Sequence, residues 1–90
     1  MFGKVAVAAV VGNEDGAHHI TAVLYQGLND VGFTIPAQAV TYWNDEAMGE
    51  ARDFKDLPET PKAVVTTTKT VATNATHLAR ALKKSPYPGR

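Results

Sequence analysis

The stretch KVAVAAVVGNEDGAHHITAVLYQGLNDVG, residues 4–32, decides the fold. Beyond Lys4, its opening run to Val11 is apolar throughout and shows no alternation with polar residues. A strand buried on both faces reads this way, and such strands lie inside parallel sheets. Gly12 stops the run, and Asn13, Glu14, Asp15 and Gly16 follow as an acidic, glycine-bracketed turn. Asn13 or Asp15 can cap a helix there by accepting from free backbone N–H groups. Ala17, Ile20, Val23, Leu24, Leu28 and Val31 then recur at spacings of three and four, which predicts a helix over residues 16–31. Gly32 is the expected left-handed stop. Gly27 inside that helix costs about 1 kcal/mol relative to alanine and implies close packing at that point.

The pattern continues outward. FTIPAQAVTYW, residues 33–43, predicts a second strand with an irregular or edge start, because Pro36 has no N–H to give a ladder. Residues 44–59 form an acidic connection longer than the usual two to about six residues, and long connections are often functional. AVVTTTKTVAT is β-branched enough to suggest a strand by propensity. Val64, Val71, Ala75, Leu78 and Leu82 nevertheless keep a helical spacing, and Lys83 and Lys84 suit a helix C-terminus. The reading is a helix over residues 61–84, with Pro61 in the first helical position after a Thr60 cap. SPYPGR cannot continue it. Strand, helix, strand, helix in this order demands a parallel crossover and an α/β fold. The first strand then needs a neighbour on each side, and the chain offers one.

Composition sets the limits. Ninety residues make one domain at most. Nine basic and nine acidic residues give a formal net charge of zero, so neither nucleic acid nor a membrane surface is the expected partner. The charge is uneven: every acid falls between Glu14 and Glu59, while Lys62, Lys69, Arg80, Lys83, Lys84 and Arg90 lie in an acid-free segment. That segment reads as a solvated helix face and tail, or alternatively as a site for an anionic partner. There is no cysteine, which excludes disulfides and thiolate chemistry and fits a cytoplasmic protein. No stretch has the length of a membrane span, and MFGKVAVAAVVG reads as a buried strand and not as a signal peptide.

Taken together, several marks resemble the C-terminal half of flavodoxin-like NAD(P)H-dependent FMN reductases. They are GK before the first strand, V-x-G-N-E-D-G-A-H-H after it, L-N-D-V-G-F-T-I-P closing the helix, T-Y-W-N ending the second strand, and N-A-T-H-L-A-R-A-L-K in the last helix. The resemblance spans nearly the whole chain except the acidic connection. It implies a three-layer α/β/α flavodoxin-like domain with a five-stranded parallel sheet. Residues 1–90 would supply its last two strands and two helices, a partial domain in β-α-β-α order. The first three strands, and the Ser/Thr-rich loop that holds the flavin phosphate in that family, have no counterpart here. The chain is accordingly expected to be a fragment, one half of a split domain, or a divergent remnant.

The resemblance also implies a site. The family's loop after the fourth strand lies along the flavin ring, which carries over to Gly12, Asn13, Glu14, Asp15 and Gly16 as FMN-binding positions. Glycines let backbone approach a flat ring, and N–H groups at a helix start can donate to flavin carbonyls or ring nitrogens. The plain reading of Asn13, Glu14 and Asp15 is a helix cap, and both readings can hold together. His18 and His19 are the candidate catalytic residues, either of which can supply a proton during reduction, with first-turn surface histidines as the alternative. Adjacent histidines project about 100° apart on a helix, and His77 is distant in sequence, so no metal site is expected. Tyr42 and Trp43 end the second strand on the ligand side of the sheet, where they wall the site or cap the core. The implied function is two-electron transfer from NAD(P)H through FMN to a small-molecule acceptor such as a quinone or free flavin. As a family, these are enzymes, but the chain alone lacks the phosphate loop. Its expected partners are the flavin, the acceptor, and either further copies of itself in a homo-oligomer or a complementary N-terminal half. The rival readings are a non-catalytic half-domain that completes a sheet, and an electron-carrier flavodoxin, against which the neutral charge counts.

Overall fold

The computed structural model describes residues 2–12, 16–44 and 57–88. The elements run β1 (Ala8–Gly12), α1 (Ala17–Asp30), β2 (Val40–Asn44) and α2 (Lys62–Lys84). This is an α/β arrangement of two parallel strands and two helices. The strands pair in parallel from Ala8 opposite Val40 to Gly12 opposite Asn44, and an isolated bridge joins Val5 to Thr34. Among the described residues the sheet has these two strands only.

The first strand is shorter than the apolar run suggests. Regular pairing begins at Ala8, because residues 35–39 of the opposite segment are irregular and Gln38 has a positive φ of 55°. The second strand is likewise shorter than the predicted 33–43. Pro36 has no N–H to donate, and together with the turn at Gln38 it confines regular β2 to Val40–Asn44. The predicted acidic connection falls almost entirely at 45–56, outside the described residues.

α1 ends where the sequence indicates: Gly32 adopts φ +108°, and a Cβ there would lie 2.8 Å from the Phe2 ring. At its start Gly16 is the N-cap, with no side-chain cap among the described residues; the expected caps Asn13 and Asp15 lie outside them. The close packing expected at Gly27 is not found among the described residues: beyond the helix's own backbone and the adjacent residues, none has an atom within 4 Å of a Cβ built there, and the residue is exposed. Gly27→Ala is therefore expected to raise the stability of the chain by about 0.5–1 kcal/mol, read from urea unfolding followed by circular dichroism.

α2 confirms the periodic reading over the propensity reading. Val71 is buried and Val64, Ala75, Leu78 and Leu82 are half-buried on the covered face. The threonines are accommodated because Thr67 and Thr70 turn their hydroxyls back onto the Ala63 and Thr66 carbonyls, at 2.9 and 3.3 Å. Pro61 is not in the first helical position. Its ψ of 139° is extended, so it stands as the N-cap, and its carbonyl accepts from Val64 and Val65. Neither helix is long and apolar enough to cross a membrane.

Adjacent residues of a strand point to opposite faces. The Tyr42 ring meets His18 of α1, while the Thr41 hydroxyl bonds to that of Thr68 in α2 at 2.8 Å. Asn74 of α2 donates to the Ala37 carbonyl at 2.8 Å. Past the helix, Tyr87 returns to the start of the sheet, with its hydroxyl 2.9 Å from that of Thr34 and its ring edge-on to Phe2. The buried core is small: Ala8, Val10, Ala17, Ala39, Trp43 and Val71.

Candidate functional site at the carboxyl end of the strands

β1 and β2 are parallel, so both carboxyl ends, Gly12 and Asn44, lie at one edge of the sheet, the edge where open α/β sheets bind ligands. α1 begins beside it. The first helical N–H with an intrahelical acceptor is that of Ile20, 3.0 Å from the Gly16 carbonyl. The N–H groups of Ala17, His18 and His19 come before it and have no acceptor earlier in the helix. Among the described residues, a Cβ at Gly16 would touch only the Ile20 Cδ1 atom, at 3.9 Å. One turn further on, the Thr21 hydroxyl is buried with no partner among the described residues.

Of the residues singled out from sequence, the structure brings two together. The His18 and Tyr42 rings stand edge to face with centroids 5.0 Å apart. They share a cleft of about 430 Å³ with Tyr25, Pro36, Gln38, Ala39, Val40 and Thr67. His19 is exposed and does not line that cleft. Trp43 points to the other face of β2 and is buried at 8% exposure, so it packs the core while Tyr42 walls the cleft. Gly12 closes the β1 ladder, and Asn13, Glu14 and Asp15 lie outside the described residues. His77 is exposed on α2, and the described residues contain no cluster of three potential metal ligands.

Tyr25 was not singled out from sequence. Its place follows from helical spacing, which sets it two turns after His18 on the flank facing β2. Burial pushes its hydroxyl pKa above the ordinary value of 10.0. A raised folded-state value means that this group's contribution is intact below the unfolded pKa and is lost as pH rises through the folded one. The chain should lose thermal stability on passing upward from pH 10, and Tyr25→Phe should lose less over the same interval.

No family model matches the chain. Among curated proteins it is similar to 8-demethyl-8-aminoriboflavin-5′-phosphate synthase of Streptomyces davaonensis, with 30% identity over 87 residues, covering 97% of this chain and 34% of that protein. Among solved structures it is similar to the crystal structure of RosB with the bound intermediate 8-demethyl-8-formylriboflavin-5′-phosphate. The TM-score is 0.87 at 30% identity, over 96% of this chain and 34% of that one. The chain thus spans about a third of the length of these relatives.

Proposed function

We propose that this chain forms the ring side of a flavin 5′-phosphate site in a flavodoxin-like three-layer α/β/α enzyme, one that passes electrons from NAD(P)H through FMN to a small acceptor such as a quinone. The observation that carries the flavin reading is the likeness, at a TM-score of 0.87, to a structure holding a riboflavin-5′-phosphate derivative. The local geometry supports it. Helix-start N–H groups, a glycine with little around it among the described residues and an aromatic wall suit a flat, electron-accepting ring that gains negative charge on reduction.

In this reading the N–H groups of Ala17, His18 and His19 face the ring's polar edge, and Tyr42 and His18 shape its surroundings. His18, held by its ring contact with Tyr42, is the histidine placed to carry a proton at its imidazole. Flavin, when bound, supplies the two-electron redox chemistry.

A second reading has a specific observation behind it. The similar Streptomyces davaonensis protein is a synthase of an aminoriboflavin phosphate, so flavin can be the substrate of this site instead of its cofactor. One experiment separates the two. The purified protein is examined by visible absorption and intact mass, titrated with FMN, and then given, in separate samples, NAD(P)H with a quinone, or an amino-group donor with dioxygen as oxidant. Flavin that bleaches and recovers with its mass unchanged supports the reductase reading. Flavin whose mass changes supports the substrate reading. An assembled protein that never perturbs the FMN spectrum overturns both.

A further inference from the structure

A second recess, of about 220 Å³, lies at the amino end of the strands, across the sheet from Gly12 and Asn44. Phe2, Phe33 and Tyr87 line it together with Asp30, Gly32 and Thr34. Its aromatic walls are held from several sides. The Phe2 and Tyr87 rings meet edge to face, with centroids 5.8 Å apart and planes inclined at 71°, so they stand as two nearly perpendicular walls. The Tyr87 hydroxyl lies 2.9 Å from that of Thr34, and Asn29 Nδ2 donates to the Phe33 carbonyl at 3.1 Å. A Cβ at Gly32 would stand 2.8 and 3.1 Å from two atoms of the Phe2 ring, so the glycine lets that ring settle against the end of α1. Phe2 and Tyr87 nonetheless remain 47% and 42% exposed. Fixed rings left open to solvent on this scale call for an explanation beyond core packing.

The charge here is equally one-sided. Asp30 is the last residue of α1 and its only charged one. A helix C-terminus already carries about half a unit of negative charge, so an acid there opposes the helix dipole, and the last turn has no basic residue to offset it. The Asp30 carboxylate accepts from Gln26 Nε2 at 2.8 Å and has no ion-pair partner among the described residues. The faces of the aromatic rings add a third source of negative potential. Helix stability gains nothing from this arrangement, and such departures from local rules gather at functional sites.

We infer that this recess binds the alkylated ammonium head group of a small organic cation. Ring faces attract a diffuse cation with an apolar shell, and Asp30 with the helix end supplies the opposing charge. The recess is smaller than the about 300–1,000 Å³ of sites that enclose whole ligands, so it takes a head group and leaves the rest of the molecule outside. A metal ion does not suit it, because the described residues contain no group of three potential metal ligands. An anion would meet the carboxylate, the helix end and the ring faces together. The recess and the proposed flavin edge lie at opposite ends of the sheet, so the inference stands apart from the flavin reading.

The test is a titration of the flavin-free protein with choline chloride at constant ionic strength, following the Phe2 and Tyr87 ring resonances by nuclear magnetic resonance. Saturable shifts centred on those rings are expected. The neutral isostere 3,3-dimethylbutan-1-ol should bind at least about five-fold more weakly, because it has the shape without the charge. Asp30→Asn should weaken choline binding about three-fold, the scale of an exposed charge pair. It should leave the melting temperature equal or higher, since an acid is removed from a helix C-terminus. Tyr87→Leu should weaken binding about ten-fold, whereas Tyr87→Phe keeps the ring and should stay within about two-fold. Glu59→Gln, a change of the same charge away from the recess, should also stay within about two-fold. Phosphatidylcholine vesicles, which present the same head group on a surface, should not sediment the protein. Equal binding of the neutral alcohol overturns the proposal in favour of a merely apolar crevice. The absence of saturable shifts overturns it, as does a choline response that both Asp30→Asn and Tyr87→Leu leave unchanged. Sedimentation with the vesicles overturns the small-molecule assignment.

Discussion

Trp43→Ala should unfold most of the chain. Trp43 is the only tryptophan and, among the described residues, the largest side chain in a hydrophobic core otherwise made of alanines and valines. It stands opposite Val11 in the ladder and shares an apolar recess with Val64 of α2. Truncating a buried tryptophan to alanine costs about 3–5 kcal/mol through lost transfer energy and the cavity left behind. A domain of this size has a total stability of only about 5 kcal/mol on the usual scaling, so the loss is comparable to the whole. Trp43→Phe, which keeps an aromatic ring between β2 and α2, should lose roughly half as much. Urea unfolding is followed by far-ultraviolet circular dichroism, because both variants remove the only indole fluorophore. An alanine variant as stable as the wild type would mean that α2 is held to the sheet by its polar contacts, Thr68 with Thr41 of β2 and Asn74 with Ala37 just before β2.

That dependence on one side chain explains which parts of the fold were legible. The β1–α1 unit could be read because a non-alternating apolar run and a three-to-four periodicity are separated by a glycine-bracketed turn. α2 could be read against its own β-branched composition because Val64, Val71, Ala75, Leu78 and Leu82 must share one face to be covered. Sheet edges and boundaries were less legible. The apolar run at 4–11 implied two buried faces, yet Val7 and Val11 are exposed, because burial of a strand depends on neighbours that its own sequence does not contain. The turn at Gln38 carries no local signal, since a positive φ at glutamine is imposed by its surroundings. Gly27 reads as a packing glycine, but no described residue packs there.

The switch from strand to helix pointed to a candidate site at Gly12–Gly16, of which Asn13–Asp15 lie outside the described residues. Parity along β2 would have separated Tyr42 from Trp43, since neighbouring strand residues face opposite ways. Sequence alone could not choose between His18 and His19. The contact with Tyr42 sets His18 against the cleft and leaves His19 outside it, and it depends on how far α1 is rotated over the sheet. Tyr87 had no signal beyond its place in a helix-stopping tail, yet its hydroxyl ties that tail to Thr34.

Gly16→Val should separate fold from ligand binding at this site. Among the described residues nothing requires glycine there. The residue has φ −166°, and an added Cβ would meet only Ile20 Cδ1, at ordinary contact distance. Replacing a glycine N-cap by a poorer one costs about 1 kcal/mol of helix stability, which circular dichroism and urea unfolding should register as a small shift. If the junction lies against a flavin ring, the branched side chain occupies the space that the ring's edge needs and tilts it away from the N–H groups of Ala17, His18 and His19. Affinity of the assembled protein for FMN should then fall about a hundred-fold, equivalent to about 2.7 kcal/mol. Tyr42→Phe, which keeps the ring beside His18, should leave that affinity within about three-fold of wild type, a difference of less than 1 kcal/mol. Fluorescence quenching of FMN measures both. If Gly16→Val leaves FMN affinity unchanged, the flavin does not sit on the β1–α1 junction. The His18–Tyr42–Tyr25 cleft then becomes the place to look, because it is lined by the candidate histidine in contact with Tyr42 and Gly16 is not among its lining residues.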